Sequence, residues 1–131
     1  MRNVLLDTNV YVAFKRNNQS VVECFRNLDY IGLDITVLAE LLSGFQGGSK
    51  EKSNRRELEA FLNTPRVHLL GHSYQTAEFY AQIYYKLKMK GKPVPSNDLW
   101  IAAAAMQYGL ALFTLDSHFA HIDGLLLKTD F

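Results

Sequence analysis

Short apolar runs alternate with helix-type segments along the chain, and this alternation is the feature that most limits its fold. Strand-length runs rich in β-branched and other apolar residues occur at residues 4–6, 31–35, 67–70, 110–114 and 125–128. Between them, apolar residues recur at helical spacing at residues 19–29, 36–43, 73–89 and 97–108, and a further helix ends near Phe61. Strands separated by helices pair in parallel. The sequence therefore predicts an α/β fold, a five-stranded parallel sheet with helices on both faces.

Capping and breaking residues set the predicted boundaries of the helices. We expect Thr36 to cap the helix after the second strand and Gly44 to stop it. Residues 46–56, which contain two adjacent glycines and mixed charges, are the most loop-like stretch. Residues 101–106 are apolar nearly all round, which is typical of a helix packed deep against a sheet.

Length and composition place residues 1–131 in a single domain that can bury a core without cross-links. No apolar stretch is long enough to cross a bilayer, and the N-terminal residues lack the pattern of a signal peptide. The single cysteine, Cys24, excludes an internal disulfide framework and a cysteine-based zinc site. These features predict a cytoplasmic protein.

Four acidic residues lie where strand-like runs give way to polar sequence or to the start of a helix: Asp7, Glu40, Asp98 and Asp116. Sites in open α/β sheets form beyond the carboxyl ends of the strands, so we expect the four at one edge. Each has a simpler interpretation, since Asp7 can cap a helix, Glu40 can face solvent, Asp98 can complement a helix dipole and Asp116 can lie in a turn. Four such coincidences at one edge are less probable than any single one.

Carboxylates crowded together repel one another unless cations join them. Magnesium or manganese suits an all-oxygen cluster, so these acids indicate a metal-dependent enzyme that acts on phosphate. When these four acids are set aside, the chain has fourteen lysines and arginines and nine other acids, which gives a net charge of +5. A metal-loaded protein would present that charge to its partner, which is compatible with nucleic acid.

Four ordered segments carry a family resemblance, at residues 5–10, 40–44, 97–103 and 114–116, with Phe119 and Gly124 following. The set resembles the PIN-domain ribonucleases, and more narrowly the toxin halves of VapBC toxin–antitoxin systems. The resemblance implies a metal-binding quartet of Asp7, Glu40, Asp98 and Asp116, supported by polar Thr8, Asn9 and Thr114. Trp100 departs from the smaller aliphatic residues that are common at its position.

The resemblance also implies a function and partners. We expect an Mg²⁺- or Mn²⁺-dependent endoribonuclease, inhibited in the cell by a VapB-type antitoxin and assembled as a homodimer and a toxin–antitoxin hetero-oligomer. Asp7 and Asp98 are assigned to the main metal, and Asp116 completes its shell. Glu40 either completes that shell or deprotonates the attacking water, and one or two ions can serve.

Other candidate residues are weaker. The run Lys86, Lys88, Lys90 and Lys92 is either a solvated helix end or an RNA backbone contact. The tyrosines at 74, 80, 84 and 85 favour core or subunit-interface positions. The four histidines lack zinc-site spacing, although His118 lies close enough to Asp116 to touch a phosphate.

Alternative functions fit the residues less well. A phospho-accepting receiver domain needs an aspartate after the third strand, where the chain has Gly71 and His72. Haloacid-dehalogenase-type phosphatases need a second aspartate at position 9, which is asparagine. A non-catalytic RNA-binding domain has no use for four acids that repel RNA. The alternative that stays open is a PIN-domain ribonuclease of RNA processing or decay outside a toxin–antitoxin pair.

Overall fold

The computed structural model describes residues 1–129 and is built on a five-stranded sheet in which every strand pairing is parallel. The strands are β1 (Asn3–Leu6), β2 (Tyr30–Asp34), β3 (Val67–Leu70), β4 (Ala111–Phe113) and β5 (Leu127–Lys128). The helices are α1 (Thr8–Lys15), α2 (Gln19–Phe25), α3 (Ile35–Phe45), α4 (Glu51–Leu62), α5 (Tyr74–Lys90) and α6 (Ser96–Gln107), and a short 3-10 helix (Ser117–His121) precedes β5. The predicted α/β fold is confirmed.

The strand order is β3-β2-β1-β4-β5, so the chain adds strands first on one side of β1 and then on the other. The chain runs outward from β1 through β2 to β3, then crosses back to β4 on the other side of β1. Right-handed crossovers therefore place α1 to α4 on one face of the sheet and α5 and α6 on the other. The carboxyl ends of β1 and β4 flank the switch point, which is where α/β sheets form their binding crevice.

Aromatic packing fills the face that carries α1, α2 and α4. The Phe14 and Phe25 rings stack with centroids 4.2 Å apart, and Tyr11 meets Phe61 edge-on at 5.2 Å. Phe25 also reaches Phe113 of β4, with centroids 6.1 Å apart. Because these rings tie three helices to the sheet, α1 is held firmly where it leaves β1.

The helix α6 is buried as its composition predicts. Residues 101–105 are fully inaccessible to solvent. Four of these five residues are alanines, and their small side chains let the helix backbone approach its neighbours closely. The first turn of α6, which carries Asp98, is thereby fixed at the sheet edge.

The predicted cap and start of α3 are both wrong by two residues. Asp34, not Thr36, is the N-cap, and its side chain accepts a hydrogen bond from the Thr36 backbone N–H. Ile35 therefore belongs to the helix although its β-branched side chain is typical of a strand. The helix also continues through Gly44 to Phe45, because glycine is tolerated inside a helix when tertiary packing supports it.

Half of the predicted loop at residues 46–56 is helical, since α4 begins at Glu51. The Glu51 carboxylate accepts a hydrogen bond from the Gly47 N–H and pairs with Arg55 one turn later, at 3.0 Å. Side-chain pairing of this kind stabilises the polar first turns of the helix, where residues 51–56 include no apolar residue to reveal them. In the part of the chain that the structure describes, no helix is long and apolar enough to span a membrane.

Gly32, at the centre of β2, offers a test of sheet packing. A Cβ there would lie 3.0 Å from Leu70 Cδ1 and 3.1 Å from Leu5 Cδ1. We expect Gly32→Ala to lower the free energy of unfolding by about 1 kcal/mol or more through overpacking. Gly44→Ala is the matched control, because a Cβ at that position would have no neighbour within 4 Å, and it should gain about 0.5–1 kcal/mol. Urea denaturation measures both, and equal effects would contradict the packing argument.

Candidate functional site

Asp7 is the most tightly held of the four predicted acids. It follows β1 directly, caps α1 and is 6% exposed. One carboxylate oxygen accepts the Thr8 backbone N–H at 2.8 Å, and the other accepts the Thr114 hydroxyl at 2.7 Å. The Asp7 backbone N–H donates to the Phe113 carbonyl at 2.9 Å. These bonds join the ends of β1 and β4 at the switch point.

The surroundings of Asp7 disfavour its charged form. Burial raises the pKa of the Asp7 carboxyl above its ordinary value of 3.8, and the nearby charges of Asp98 and Glu40 raise it further. The hydrogen bonds from Thr114 and Thr8 act in the opposite direction but do not cancel the effect. An ionised Asp7 is therefore costly in this fold unless a cation compensates it.

Glu40 is joined to Asp7 through Thr8. It lies in α3 one turn beyond Thr36, and its carboxylate accepts the Thr8 hydroxyl at 2.6 Å. Thr8 thus donates its backbone N–H to one acid and its hydroxyl to another. The predicted supporting role of Thr8 has a direct geometric basis.

Asp98 and Asp116 meet at His118. Nε2 of His118 lies 2.5 Å from an Asp98 oxygen, and Nδ1 lies 2.5 Å from an Asp116 oxygen. Asp116 also caps the short 3-10 helix by accepting the His118 backbone N–H at 3.2 Å. The structure therefore brings these two acids together through a histidine that the sequence did not place between them.

The turn after β4 is held by the other two supporting residues. The Thr114 hydroxyl accepts the Asp116 backbone N–H at 3.0 Å while it donates to Asp7. The Asn9 side-chain oxygen accepts the Leu115 N–H at 3.2 Å. Asn9 and Thr114 therefore fix the path of the chain that carries Asp116, which accounts for polar residues at both positions.

All four acids line one open cleft, here called the acidic cleft. Its walls also include Arg16 and Asn18, which sequence reasoning missed. The sequence spacing could have indicated Arg16, because Thr8, Val12 and Arg16, the residue that caps the end of α1, recur every four residues and so lie along one side of the helix. All three line the acidic cleft.

The donor chemistry of the acidic cleft fits a hard divalent cation, but the side chains do not yet converge. Within residues 1–129, no group of three or more histidine, cysteine, aspartate or glutamate side chains lies close enough to hold a metal ion. Asp98 and Glu40 line the same cleft as Asp7, and their charges add to the raised pKa of the Asp7 carboxyl. Oxygen donors of this kind suit Mg²⁺ or Mn²⁺.

A second polar cluster, unforeseen in the sequence, lies at the end of β2. Asp34 is fully buried, and its oxygens lie 2.9 and 3.1 Å from Nε2 of His72. The His72 ring stacks on Trp100 of α6 at 4.6 Å between centroids. This cluster binds the loop after β3 to α3 and α6, and it gives Trp100, the departure from the family pattern, a structural partner.

The predicted lysine run at residues 86–92 does not lie at the acidic cleft. Lys90 pairs with Asp123 at 2.6 Å, and Lys86 contributes with Lys90 to the lowered pKa of Asp123. Lys88 and Lys92 border a separate hollow beside Leu99. None of the four lines the acidic cleft. Contact of these lysines with RNA stays a prediction.

The tyrosines of α5 divide between two surroundings. Tyr80 packs on Trp100 with centroids 4.5 Å apart. Tyr74, Tyr84 and Tyr85 are exposed by 82%, 53% and 62%, so they do not belong to the core of this chain. The core interpretation is therefore wrong for these three, and a subunit-interface role for them stays a prediction.

Comparison with known proteins agrees with this geometry. The PIN domain family model matches residues 4–125. The chain is 29% identical over 120 residues to Ribonuclease VapC4 of Mycobacterium tuberculosis, covering 92% of this chain and 91% of that protein. It is 31% identical over 114 residues to Ribonuclease VapC1 of Haemophilus influenzae, covering 84% of each. A similar solved structure is VapBC2 from Rickettsia felis bound to a promoter DNA fragment, with a TM-score of 0.87, 29% identity and coverage of 95% of this chain and 96% of that one.

The raised pKa of Asp7 makes a prediction about pH. The unfolded state loses its proton first as pH rises from 3.8, so the stability contributed by Asp7 falls through that window and stays low at neutral pH. Asparagine caps helices about as well as aspartate and carries no charge. In EDTA, Asp7→Asn should therefore gain more stability relative to the parent at pH 7 than at about pH 4.

Urea denaturation at the two pH values measures this difference. Asp29→Asn is the control with the opposite sign, because the hydrogen bond from Arg2 lowers the pKa of the exposed Asp29 carboxyl. That variant should lose more stability at pH 7 than at pH 4. An Asp7→Asn effect that is the same at both pH values would identify Asp7 as a helix cap alone.

Proposed function

This chain belongs to the PIN domain family, and we propose that it is a divalent-metal-dependent ribonuclease that serves as the toxin of a toxin–antitoxin module. The observation that carries the proposal is the acidic cleft at the switch point between β1 and β4, with the buried, hydrogen-bonded Asp7 at its base. The relatives named Ribonuclease VapC support the reaction, and the VapBC structures support the toxin role.

We propose that Asp7, Asp98 and Asp116 hold Mg²⁺ or Mn²⁺, with Glu40 as the fourth acid. When bound, such a cation lowers the pKa of its water and offsets the charge that develops on the phosphate. Asp7 presents carboxylate oxygens at the base of the cleft, fixed by Thr8 and Thr114. Glu40, oriented by the Thr8 hydroxyl, either completes the shell or accepts the proton of the attacking water.

His118 is the side chain that must yield if Asp98 and Asp116 join Asp7 around one ion. Its two ring nitrogens each contact one carboxylate oxygen of those two acids, so that oxygen of each is engaged by the histidine rather than available to a metal ion. A displaced imidazole would lie at the rim of the cleft, within the reach of a phosphate. We therefore expect His118 to lie beside the substrate rather than in the metal shell.

Metal dependence is tested by RNA cleavage with the purified protein. We expect cleavage with Mg²⁺ or Mn²⁺ and none in excess EDTA, because the carboxylates alone repel the phosphodiester. Asp98→Asn should lower the rate by on the order of 100-fold or more. Loss of a residue that only hydrogen-bonds to a metal ligand typically lowers activity by about 10–100-fold, and loss of the ligand itself should lower it at least as much. Asp29→Asn, an acid outside the cleft, is the control that should retain activity. Cleavage that persists after thorough chelation would exclude the metal mechanism.

The toxin role predicts a small inhibitory partner. We expect it to pack an apolar segment between helices and to bring an arginine to the acidic cleft, where a guanidinium gains charge-assisted hydrogen bonds to the carboxylates. Co-expression with a small neighbouring gene should give a stable complex without nuclease activity. Replacing that arginine should restore part of the cleavage while the complex persists, and unchanged inhibition would contradict the charge argument.

We propose further that the toxin is a homodimer within this complex. The exposed Tyr84, Tyr85 and Met89 of α5 provide an aromatic and apolar surface. Light scattering of the same purified complex counts the toxin copies, and a single copy would contradict the dimer.

A further inference from the structure

The acidic cleft continues into a second groove between α1, α3 and the start of α4, here called the helix groove. The two depressions share a wall formed by Thr8, Val12, Arg16 and Glu40. We infer that one RNA strand leaves the acidic cleft across Arg16 and follows the helix groove toward Lys50, so that Arg16 and Lys50 bind backbone phosphates beside the cleavage site. This inference rests on the proposed ribonuclease function and identifies the substrate path that the function requires.

Arg16 is the first support for this path. Among the described residues that line the acidic cleft, it is the only cation, and it faces a depression with four carboxylates. Its side chain is exposed and makes no ion pair or side-chain hydrogen bond within residues 1–129. A structural arginine in this position would pair with one of the acids. A guanidinium held near the acids but left unpaired presents its full set of donors to a phosphate.

The position of Arg16 along α1 fits a phosphate next to the scissile one. Arg16, which caps the end of α1, follows Thr8 by eight residues, and the helical rise converts this separation to about 12 Å along the helix axis. Thr8 contacts Asp7 and Glu40, so it marks the acidic end of this strip. The strip therefore runs from the proposed metal site to an unpaired cation, as a binding path for a polyanion requires.

The helix groove extends the positive charge away from the acids. Lys15, Arg16 and Lys50 line it, with Glu40 at its acidic end and Glu57 as the other carboxylate. Lys50 has no side-chain partner within residues 1–129, and the Lys15 pair with Glu57 is long, at 3.6 Å, and exposed. Such a pair is weak and can open to a phosphate.

The lysines of α5 form a competing path that is less well placed. Lys90 is engaged with Asp123 and the His121 carbonyl, and the run does not line the acidic cleft. An apolar segment of an inhibitory protein is a rival occupant of the helix groove. Arg16 and Lys50, which have no side-chain partner within residues 1–129, together with the continuity of the groove with the acids, favour RNA over that segment.

Binding of RNA to an inactive background tests the path. The parent is Asp98→Asn with Mg²⁺, and the probe is a fluorescein-labelled single-stranded RNA of mixed sequence, followed by fluorescence anisotropy over a range of salt. Adding Arg16→Ala or Lys50→Ala should weaken binding by about tenfold. Each should also reduce the slope of log affinity against log salt by about 0.7, the value for one lost phosphate contact on a single strand.

Arg26→Ala is the matched control, because Arg26 is an exposed arginine that pairs with Glu23 and lines neither depression. It should leave the affinity and the salt slope unchanged. A double variant, Lys86→Ala with Lys88→Ala, tests the competing path on α5 in the same assay. Thermal melting of each variant confirms that the fold is retained.

The outcomes separate the path from the function. Unchanged affinity and slope in both Arg16→Ala and Lys50→Ala, with a parent that binds RNA, would overturn the path and leave the ribonuclease function standing. Loss of antitoxin co-purification without any change in RNA binding would assign the helix groove to the protein partner and likewise overturn it. A parent that binds no RNA, together with a wild-type protein that cleaves none, would overturn the function and the path together.

Discussion

The hydrogen bonds that join the end of β1 to the end of β4 organise the rest of the site. The backbone of Asp7 bonds to Phe113, and its carboxylate accepts the hydroxyl of Thr114. Since β1 and β4 are more than 100 residues apart in sequence, the acids that follow them meet only because these strands pair. The loop with Asp116 and the helix with Thr8 both take their direction from this point.

Placing Asp7 at that point has an energetic cost. Its carboxylate is removed from water beside two other negative charges, and its pKa rises accordingly. A fold selected for stability alone would favour a neutral cap, since asparagine satisfies the same helix end. Retaining the aspartate is consistent with a cation that converts the unfavourable charge into binding energy, while His118 provides Asp98 and Asp116 with an alternative partner.

The parts of the fold that depend on local pattern were predictable from sequence. The alternation of strands and helices, the buried α6 and the glycine that ends α5 all follow from periodicity and chain-breaking residues. The predicted helix boundaries that were wrong depend on side-chain hydrogen bonds and ion pairs, which leave no pattern of apolar residues in the sequence. Asp34 takes the cap expected at Thr36, and the Glu51–Arg55 pair starts α4 inside an apparent loop.

The candidate site likewise has residues that the sequence predicted and contacts that it could not predict. The four acids were found because strand ends and helix starts mark the edge of a parallel sheet. The interactions of His118 were not, because a histidine two residues after Asp116 gains its second partner, Asp98, only through tertiary packing. Asp34 and His72 were missed for a similar reason, since they lie 38 residues apart and meet beneath Trp100.

Charge placement, rather than net charge, determines how a polyanion can approach this protein. The lysine and arginine ion pairs among residues 1–129 are at least partly exposed and contribute little to stability, but each removes a cation from the set available to a ligand. Arg16 makes no such pair within residues 1–129, although four carboxylates line the same cleft. A cation at the acids and a guanidinium beside them would together reverse the local repulsion. The proposed metal site and the adjacent end of α1 would then act as one electrostatic unit, through which a chain with a formal net charge of only +1 would bind RNA.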